Sequence, residues 1–318
     1  MSTVIFNTQP ICDTNAHFRA WGGNISSSFS TCGWVQTSDT GQINWTTIAA
    51  PAQANVVCGY EIWQMNDSLQ STSPVFFKIE YGAGTAQTNP TIYMTVGSGS
   101  NGSGGLTGIC GIRFILQSAN GANQCTSYVS GANNRIAMAL WASGWTSNGG
   151  FGLNGNTSTS NTFTGIMGFF SLERTKDTNG NDTNEGTLFL LRDPSRSGST
   201  TTRFRAQYWN AKTGPAGTEL DWGTLIPSAN LTINNNSLGG GTLTTGGMVY
   251  PVYHFKGIFL NPGLNVLCYI PPALQPDCQA NVLIYGAAHT YMPLANVMGG
   301  TNLNQRPGGN VTFAMRFE

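Results

Sequence analysis

Short apolar runs separated by polar turn residues recur along this 318-residue chain. The clearest group covers residues 60–65, 75–81 and 91–96, which are rich in β-branched and aromatic residues and are separated by Asn, Asp, Ser, Pro and Gly. This pattern predicts three consecutive antiparallel strands. The run GSGSNGSGG at 97–105 follows them, and its composition predicts a flexible connector that becomes ordered only against a neighbouring subunit.

Residues 16–33 show a different period. Apolar side chains recur there at steps of three and four, which is helical spacing, at Phe18, Trp21, Ile25, Phe29 and Cys32. Asp13 or Thr14 is the candidate N-cap, and Gly33 is placed to end the helix. The pattern therefore predicts one short N-terminal helix, with Gly22 and Gly23 as unfavourable interior residues.

The rest of the chain has the spacing of strands and turns. Two short extended segments, 34–36 and 43–45, flank a turn at Asp39-Thr40-Gly41, and Trp34 and Trp45 are expected to pack on the helix or the sheet. Further strands are predicted at 107–117, 134–142, 151–153, 163–173, 187–191, 202–209, 231–235, 248–256, 265–270, 280–285, 290–293 and 311–317.

Strands at intervals of about 10 to 20 residues with almost no helix predict an all-β fold, mainly an antiparallel sandwich or barrel-like assembly, with one short N-terminal helix. Linker-like composition at 195–202 predicts an N-terminal β-rich domain at 1–195 and a C-terminal β domain at 196–318. Residues 239–247 are a second linker candidate. One continuous domain is the alternative.

The composition narrows the classes of function. Only 9% of residues are charged, with 14 basic and 14 acidic residues, against roughly 25% charged in an average soluble protein. Such a chain has no net field to attract a polyanion or an anionic membrane, so nucleic acid is not an expected partner. An uncharged surface also lacks the repulsion that keeps monomers apart, which is typical of proteins that assemble.

The chain has no run of about 18 apolar residues and no secretory signal at its first residues, so we expect synthesis in the cytoplasm without membrane insertion. Seven cysteines at irregular spacings show no disulfide or zinc pattern and are predicted to be buried thiols.

Catalytic motifs are not evident. The sequence contains no G-x-S-x-G elbow, its three histidines are scattered, and the glycine-rich run lacks the Lys-Ser/Thr of a phosphate-binding loop. A glycosidase would need two acids across a cleft. The candidates are not singled out by their spacing: Glu61, Asp67, Glu80, Glu173, Glu219 and Asp221.

One segment has metal-like chemistry. DTNGNDTNEG at 177–186 offers oxygen ligands at Asp177, Asn179, Asn181 and Asp182, and calcium takes six to eight such oxygens. The EF-hand spacing is not met, and Asn-Gly flanked by Asp is also what a hairpin turn requires. A turn is the favoured interpretation and calcium the alternative. No other cofactor is expected.

Aromatic residues near loops form the last candidate group. They are expected to lie in cores and subunit interfaces, with stacking on a host surface glycan as the alternative: Trp141, Trp145, Tyr208, Trp209 and Trp222.

Several segments resemble the structural proteins encoded in the virion modules of tailed bacteriophages. They are the helix followed by GWVQTSDTGQINW, the run YEIWQMNDSLQSTSPVFFKIEYGAG with PTIYMTVGSGS, and the hairpin LERTKDTNGNDTNEG, which together span about residues 18–191. The resemblance implies a virion component without enzymatic activity, in the tail, baseplate or fibre region. It carries no family active site to transfer.

The expectation from sequence is therefore a non-enzymatic virion protein that forms a symmetric oligomer, with threefold or sixfold symmetry, and contacts copies of itself and other virion proteins. The alternatives are a head decoration or head-fibre protein, or a glycan-binding host-recognition module. A glycan-degrading enzyme is the least favoured hypothesis.

Overall fold

The computed structural model describes the N-terminal part of the chain almost continuously and the C-terminal part in shorter pieces. The described residues are 1–117, 125–140, 168–177, 179–191, 204–210, 219–221, 241–242, 248–256, 259–269, 280–284, 287–293 and 312–318. They contain one helix and twenty strands in antiparallel sheets. The predicted all-β class with one N-terminal helix is confirmed, and each sheet of this part of the chain is open rather than closed into a barrel.

Helix α1 spans Asn15–Thr31, close to the predicted bounds. Thr14 is the N-cap, and its hydroxyl accepts a hydrogen bond from the backbone N–H of His17 at 3.2 Å. Gly33 follows the helix with a φ of +88°, a left-handed conformation that favours glycine. Gly22 is needed for a packing reason, because a Cβ there would lie 1.9 Å from the ring of Trp45.

A five-stranded sheet contains the predicted three-stranded meander. Its strand order is β2-β3-β4-β5-β8, and the meander is β3-β4-β5. Alternate residues of these strands point to the same face and are buried against α1. The strands are β2 (Val35–Gln36), β3 (Val57–Gln64), β4 (Phe76–Ala83), β5 (Pro90–Gly97) and β8 (Cys110–Gln117).

A seven-stranded sheet forms the centre of the molecule, with the order β1-β9-β10-β11-β12-β13-β14. The predicted long hairpin is confirmed as β11 and β12. The strands are β1 (Ser2–Thr8), β9 (Cys125–Ala132), β10 (Arg135–Leu140), β11 (Gly168–Lys176), β12 (Asp182–Leu191), β13 (Phe204–Asn210) and β14 (Glu219–Asp221).

A six-stranded sheet is built from the last third of the chain, with the order β15-β16-β17-β20-β19-β18. A separate two-stranded ribbon pairs β6 (Gly99–Ser100) with β7 (Leu106–Thr107). The strands of the six-stranded sheet are β15 (Gly241–Thr242), β16 (Met248–Lys256), β17 (Phe259–Tyr269), β18 (Ala280–Ile284), β19 (Ala287–Pro293) and β20 (Thr312–Arg316).

The central sheet has a neighbour on each face. On one face, Phe170 of β11 contacts Phe77 of β4 at a ring-centroid distance of 5.9 Å, within a continuous apolar cluster that includes α1. On the other face, β11 contacts β17, and Tyr128 of β9 packs against Phe317, just after β20. The described sheets therefore form three layers, with the seven-stranded sheet in the middle.

Some local predictions were wrong. Strands β1 and β9 were not predicted, and β9, with the sequence CTSYVSGA, has too many small polar residues to be recognised by its apolar content. Residues 43–45 are not a strand, although the Ile43 N–H donates to the carbonyl of Tyr60 at 2.9 Å. The single strand predicted at 107–117 is divided at Gly108, which has a φ of +54°.

Other predictions fall outside the described residues. These are the strands at 151–153 and 231–235 and the first five residues of the strand at 163–173. The predicted domain boundary at 195/196 also lies outside the described residues, so the division into two domains stays a prediction. The central sheet contains strands from both sides of this boundary. No helix of the described part is long and apolar enough to cross a lipid bilayer.

Candidate functional site

Glu61 is a buried carboxylate between α1 and the five-stranded sheet, with 1% of its surface exposed. Four side chains donate hydrogen bonds to it: Ser26 Oγ at 2.6 Å, Tyr81 OH at 2.8 Å, Trp45 Nε1 at 3.0 Å and Trp63 Nε1 at 3.4 Å. Burial raises the pKa of Glu61, and these hydrogen bonds counter the shift only in part. Glu61 thus ties the helix, the segment before β3, and strands β3 and β4 together.

Asp67 and Arg174 form a second buried polar contact. Arg174 Nε donates to Asp67 Oδ2 at 2.5 Å, and its Nη2 donates to Asp67 Oδ1 at 3.1 Å and to the Ser73 carbonyl at 2.9 Å. The side chain of Arg174 is fully buried. This two-pronged ion pair joins the loop between β3 and β4 to β11 of the central sheet.

Glu80 lies on the outer face of the five-stranded sheet. Its carboxylate pairs with Arg113 at 2.8 Å and with Lys78 at 3.4 Å. Those two cations also lie over aromatic rings, Arg113 over Tyr93 at 3.9 Å and Lys78 over Tyr60 at 5.0 Å. A cation therefore lies over one face of each of these two rings.

Arg135 and Glu173 face each other across β10 and β11, and both are buried. Burial and the nearby Arg316 lower the pKa of Arg135 to about 10, while attraction from Glu173 and Glu318 opposes the shift. A charged cluster therefore lies between the central sheet and the six-stranded sheet.

The outer end of this cluster is formed by residues of β19, by the last residue of β20 and by Glu318. Glu318 accepts hydrogen bonds from Arg316 Nε and from the Thr290 N–H, and its Oε1 lies 3.0 Å from His289 Nδ1. The side chains of both Arg135 and Arg316 reach the Met1 sulfur, at 3.0 and 3.3 Å.

The acids singled out from sequence are thus placed in several separate contacts. The carboxylates of Glu61, Asp67 and Glu80 contact hydroxyl, indole, guanidinium, ammonium and backbone N–H groups, and the contacts described for these three acids include no second acid. Glu219 and Asp221 lie on β14, in register with Gln207 and Arg205. The contacts of Glu61 and Asp67 join segments that are distant in the sequence.

The segment proposed for calcium forms the turn between β11 and β12. Asp177 Oδ1 accepts from the backbone N–H groups of Asn179 and Asn181, both at 2.8 Å, and Gly180 has a φ of +83°. These hydrogen bonds lower the pKa of Asp177. Asp182 instead pairs with Lys176. The oxygens of Asp177 and Asp182 therefore face N–H donors, and calcium binding stays a prediction.

Metal-ligating groups do not cluster elsewhere in the described residues: no three His, Cys, Asp or Glu side chains come together there. Cys12, Cys32 and Cys110 are buried and Cys58 is half-buried. Burial raises the pKa of Cys32 to about 11, which disfavours the reactive thiolate.

The glycine-rich run at 97–105 is ordered within the chain, so its prediction as a flexible connector was wrong. Asp39 Oδ2 accepts from Ser100 Oγ at 2.5 Å and from the Gly104 N–H at 2.9 Å, while the Thr40 N–H donates to Gly102. Gly104 has a φ of +89°, and a Cβ there would lie 2.4 Å from the Tyr60 ring. The glycines permit a tight ribbon, β6–β7, to close on Asp39.

Three of the five aromatic candidates are outside the described residues. They are Trp141, Trp145 and Trp222. Tyr208 and Trp209 lie on β13, in register with Thr187 and Gly186 of β12. The expectation for Trp34 and Trp45 is confirmed: Trp34 packs on Phe29 and Trp45 on Phe18, in each case with ring centroids 5.6 Å apart.

The last candidate surface is marked by an exposed apolar residue at the edge of a sheet. Ile5 is 57% exposed in the middle of β1, which lies at the edge of the central sheet among the described strands. Sequence reasoning missed this strand; the signal that would have found it is the block STVIFNT, in which three apolar residues are bounded by polar ones. We call the side of β1 facing away from β9 the open edge.

No protein-family model, curated protein or solved structure matches the chain.

Proposed function

We propose that this protein is a non-enzymatic structural component of a tailed-bacteriophage virion, which assembles as a symmetric oligomer in the tail, baseplate or fibre region. Its partners are copies of itself and other virion proteins. The resemblance of residues 18–191 to phage virion proteins supports the class, and the nearly uncharged composition supports assembly.

The observation that carries the proposal is the open edge of the central sheet. β1 contains no charged residue and no proline, and Ile5 at its centre is exposed. Proteins that work as free monomers blunt such edges with charges, proline or bulges, because an open edge pairs with other chains. A chain that leaves the edge uncharged is suited to a state in which another subunit covers it.

The buried polar groups fit the same function. Glu61 and the Asp67–Arg174 pair each join separate segments of the chain. They fix the arrangement of sheets that a virion subunit must present to its neighbours.

The test uses intact particles of the phage that encodes the chain. Antibodies raised against the protein are expected to label particles in immunogold microscopy, and mass spectrometry of separated heads and tails is expected to find the chain in the tail fraction. Absence of label, with the chain missing from both the head and the tail fraction, would overturn the virion assignment, and a strictly monomeric purified chain would overturn assembly as an oligomer. Recovery from heads alone would replace the tail assignment with a head decoration or head-fibre protein.

A further inference from the structure

The open edge of β1 is regular along its whole length. All seven residues of β1 pair with β9, from Ser2 opposite Gly131 to Thr8 opposite Cys125, with no shift of register. Such a strand is about 23 Å long at ~3.3 Å per residue. Within the described residues no strand pairs with its other side. That side therefore presents the backbone N–H and C=O groups of alternate residues, which pair with no other described strand, although the Ser2 carbonyl lies 3.9 Å from the Cys32 thiol.

The side chains of β1 alternate between two environments. Phe6 is buried and Val4 packs beside it, in the apolar cluster that joins the central sheet to α1. Thr3, Ile5 and Asn7 point to the opposite face and are exposed. A partner strand must therefore place compatible side chains opposite Val4 and Phe6 on one face. On the other face it must do the same opposite Thr3, Ile5 and Asn7.

The strand has a palindromic pattern of polarity about Ile5. Reading outward from that residue, Val4 corresponds to Phe6, Thr3 to Asn7 and Ser2 to Thr8. Two copies of β1 arranged antiparallel about a two-fold axis at Ile5 would place apolar residues opposite apolar ones and polar residues opposite polar ones. No charges of the same sign would meet, because the strand carries none.

We propose that β1 pairs with β1 of a second copy of this chain, antiparallel and centred on Ile5, so that the two central sheets become one continuous sheet. This inference rests on the proposed function, since it names the partner and the surface for the assembly proposed there. The contact is isologous: the same seven residues serve both subunits.

The expected strength of the contact is limited. A contact along one short strand lies at the low end of interface sizes, so the dimer is weak on its own. Within a virion, a two-fold contact combined with a threefold contact elsewhere would generate a closed ring of six subunits with dihedral symmetry. The pairing then adds to other contacts and gains from their effective concentration.

Disulfide cross-linking of variants with one introduced cysteine reports the register of the proposed β1–β1 pairing. In the proposed pairing residue 5 faces residue 5, and directly opposed Cβ atoms lie about 4.5–5.5 Å apart, close to the disulfide range. Oxidation of the Ile5→Cys variant at high protein concentration is expected to give a covalent dimer whose linked peptide joins residue 5 to residue 5. Wild-type protein, with its native cysteines, is the background control.

Two further variants distinguish this geometry from others. Thr3→Cys alone is expected to give no 3–3 linkage, because the two copies of residue 3 lie four residues apart along the strands, about 13 Å. A mixture of Thr3→Cys and Asn7→Cys is expected to give a 3–7 linkage. A 3–3 linkage would indicate parallel pairing and would overturn the proposal.

A charge substitution measures the contact without cross-linking. Ile5→Lys places two lysines opposite each other at the axis and is expected to raise the dimer dissociation constant at least about tenfold. Ile109→Lys is the matched control, since Ile109 is also an exposed isoleucine, at 47%, and lies away from β1. Circular dichroism of each variant confirms folding.

The outcomes separate this inference from the proposed function. Labelled particles together with oligomers that give no 5–5 linkage would overturn the pairing through β1 and leave the virion assignment in place. Unlabelled particles would overturn the virion assignment, even if a 5–5 linkage formed in solution. A wild-type chain that stays monomeric up to millimolar concentration would overturn the pairing.

Discussion

The two faces of the central sheet are built from different kinds of residue. The face toward α1 and the five-stranded sheet is mainly apolar, with Phe170, Leu172, Leu188 and Leu190 in one continuous cluster, and its buried polar residues include Ser127 and Arg174. The face toward the six-stranded sheet also buries phenylalanine, at Phe169 and Phe189, but mixes it with small and charged residues. The polar residues buried on that face are Ser130, Arg135, Ser171, Glu173 and Thr187.

The two faces are joined to their neighbouring layers by different interactions. The apolar face gains stability from area removed from water and tolerates small shifts of its neighbours. The mixed face depends on charges that must meet their partners, because a buried charge without a partner is costly. We therefore expect the first interface to supply most of the stability and the second to fix how the six-stranded sheet is placed.

The largest effect is expected on the apolar face. Phe170→Ala removes a fully buried ring that contacts Phe77 and leaves a cavity, which should lower the free energy of unfolding by about 3–5 kcal/mol. Urea unfolding followed by tryptophan fluorescence measures the change. Asn7→Ala, on the exposed face of β1, is the control and should change stability by less than about 0.5 kcal/mol. A loss below about 1 kcal/mol for Phe170→Ala would show that the two sheets do not pack through this ring.

A smaller, coupled effect is expected on the mixed face. Arg135→Met or Glu173→Leu alone takes away the opposite charge that faces the remaining buried residue across β10 and β11, whereas the double variant removes both charges. The double variant should therefore cost less than the sum of the single variants by about 1–3 kcal/mol. A double-mutant cycle by urea unfolding gives this coupling.

The more exposed Lys176–Asp182 pair is the comparison for that cycle. Its coupling should stay below about 1 kcal/mol because water screens the pair. Equal coupling in the two cycles would show that burial of Arg135 and Glu173 adds nothing.

The fold was predictable where one face of an element is apolar. Helix α1 and strands β3, β4 and β5 follow from the period of their apolar residues, since burial on one face leaves that period in the sequence. Strand β9 lacks such a period: its Ser127 and Ser130 are buried between layers on opposite faces. A strand in the middle of three layers is covered on both faces. Neither face is then marked by solvent exposure, so the alternation of apolar and polar residues is lost.

The polar contacts were predictable only as a set of candidates. Glu61, Asp67 and Glu173 could be named from the sequence, but their partners come from segments 2 to 107 residues away. Asp39 was predicted as a turn residue, and its contact with the glycine-rich ribbon, 61 residues on, was not foreseen. Pairings over such separations are set by the packing of the sheets, which local spacing does not encode.

Glu61 is a buried acid on the mainly apolar side, where Asp67 and Arg174 form the other buried polar contact. The titration of Glu61 provides the smallest and most specific test. Burial raises its pKa in the folded protein above the ordinary value of the unfolded chain. As pH rises, the unfolded state loses this proton first, so Glu61 lowers stability progressively between the ordinary and the raised pKa. The limiting slope for one group is about 1.4 kcal/mol per pH unit.

Glu61→Gln keeps the size of the side chain and replaces the titrating carboxyl group with an amide, so it should abolish this part of the pH dependence. Asp39 and Glu318 have lowered pKa values and contribute a slope of the opposite sign, in which stability is lost as pH falls. The difference between wild type and Glu61→Gln, measured by urea unfolding from pH 4 to 8, cancels those contributions. We expect the wild type to lose stability relative to the variant as pH rises through the window. Parallel curves would show that the four donors offset the burial of Glu61 and hold its pKa at the ordinary value.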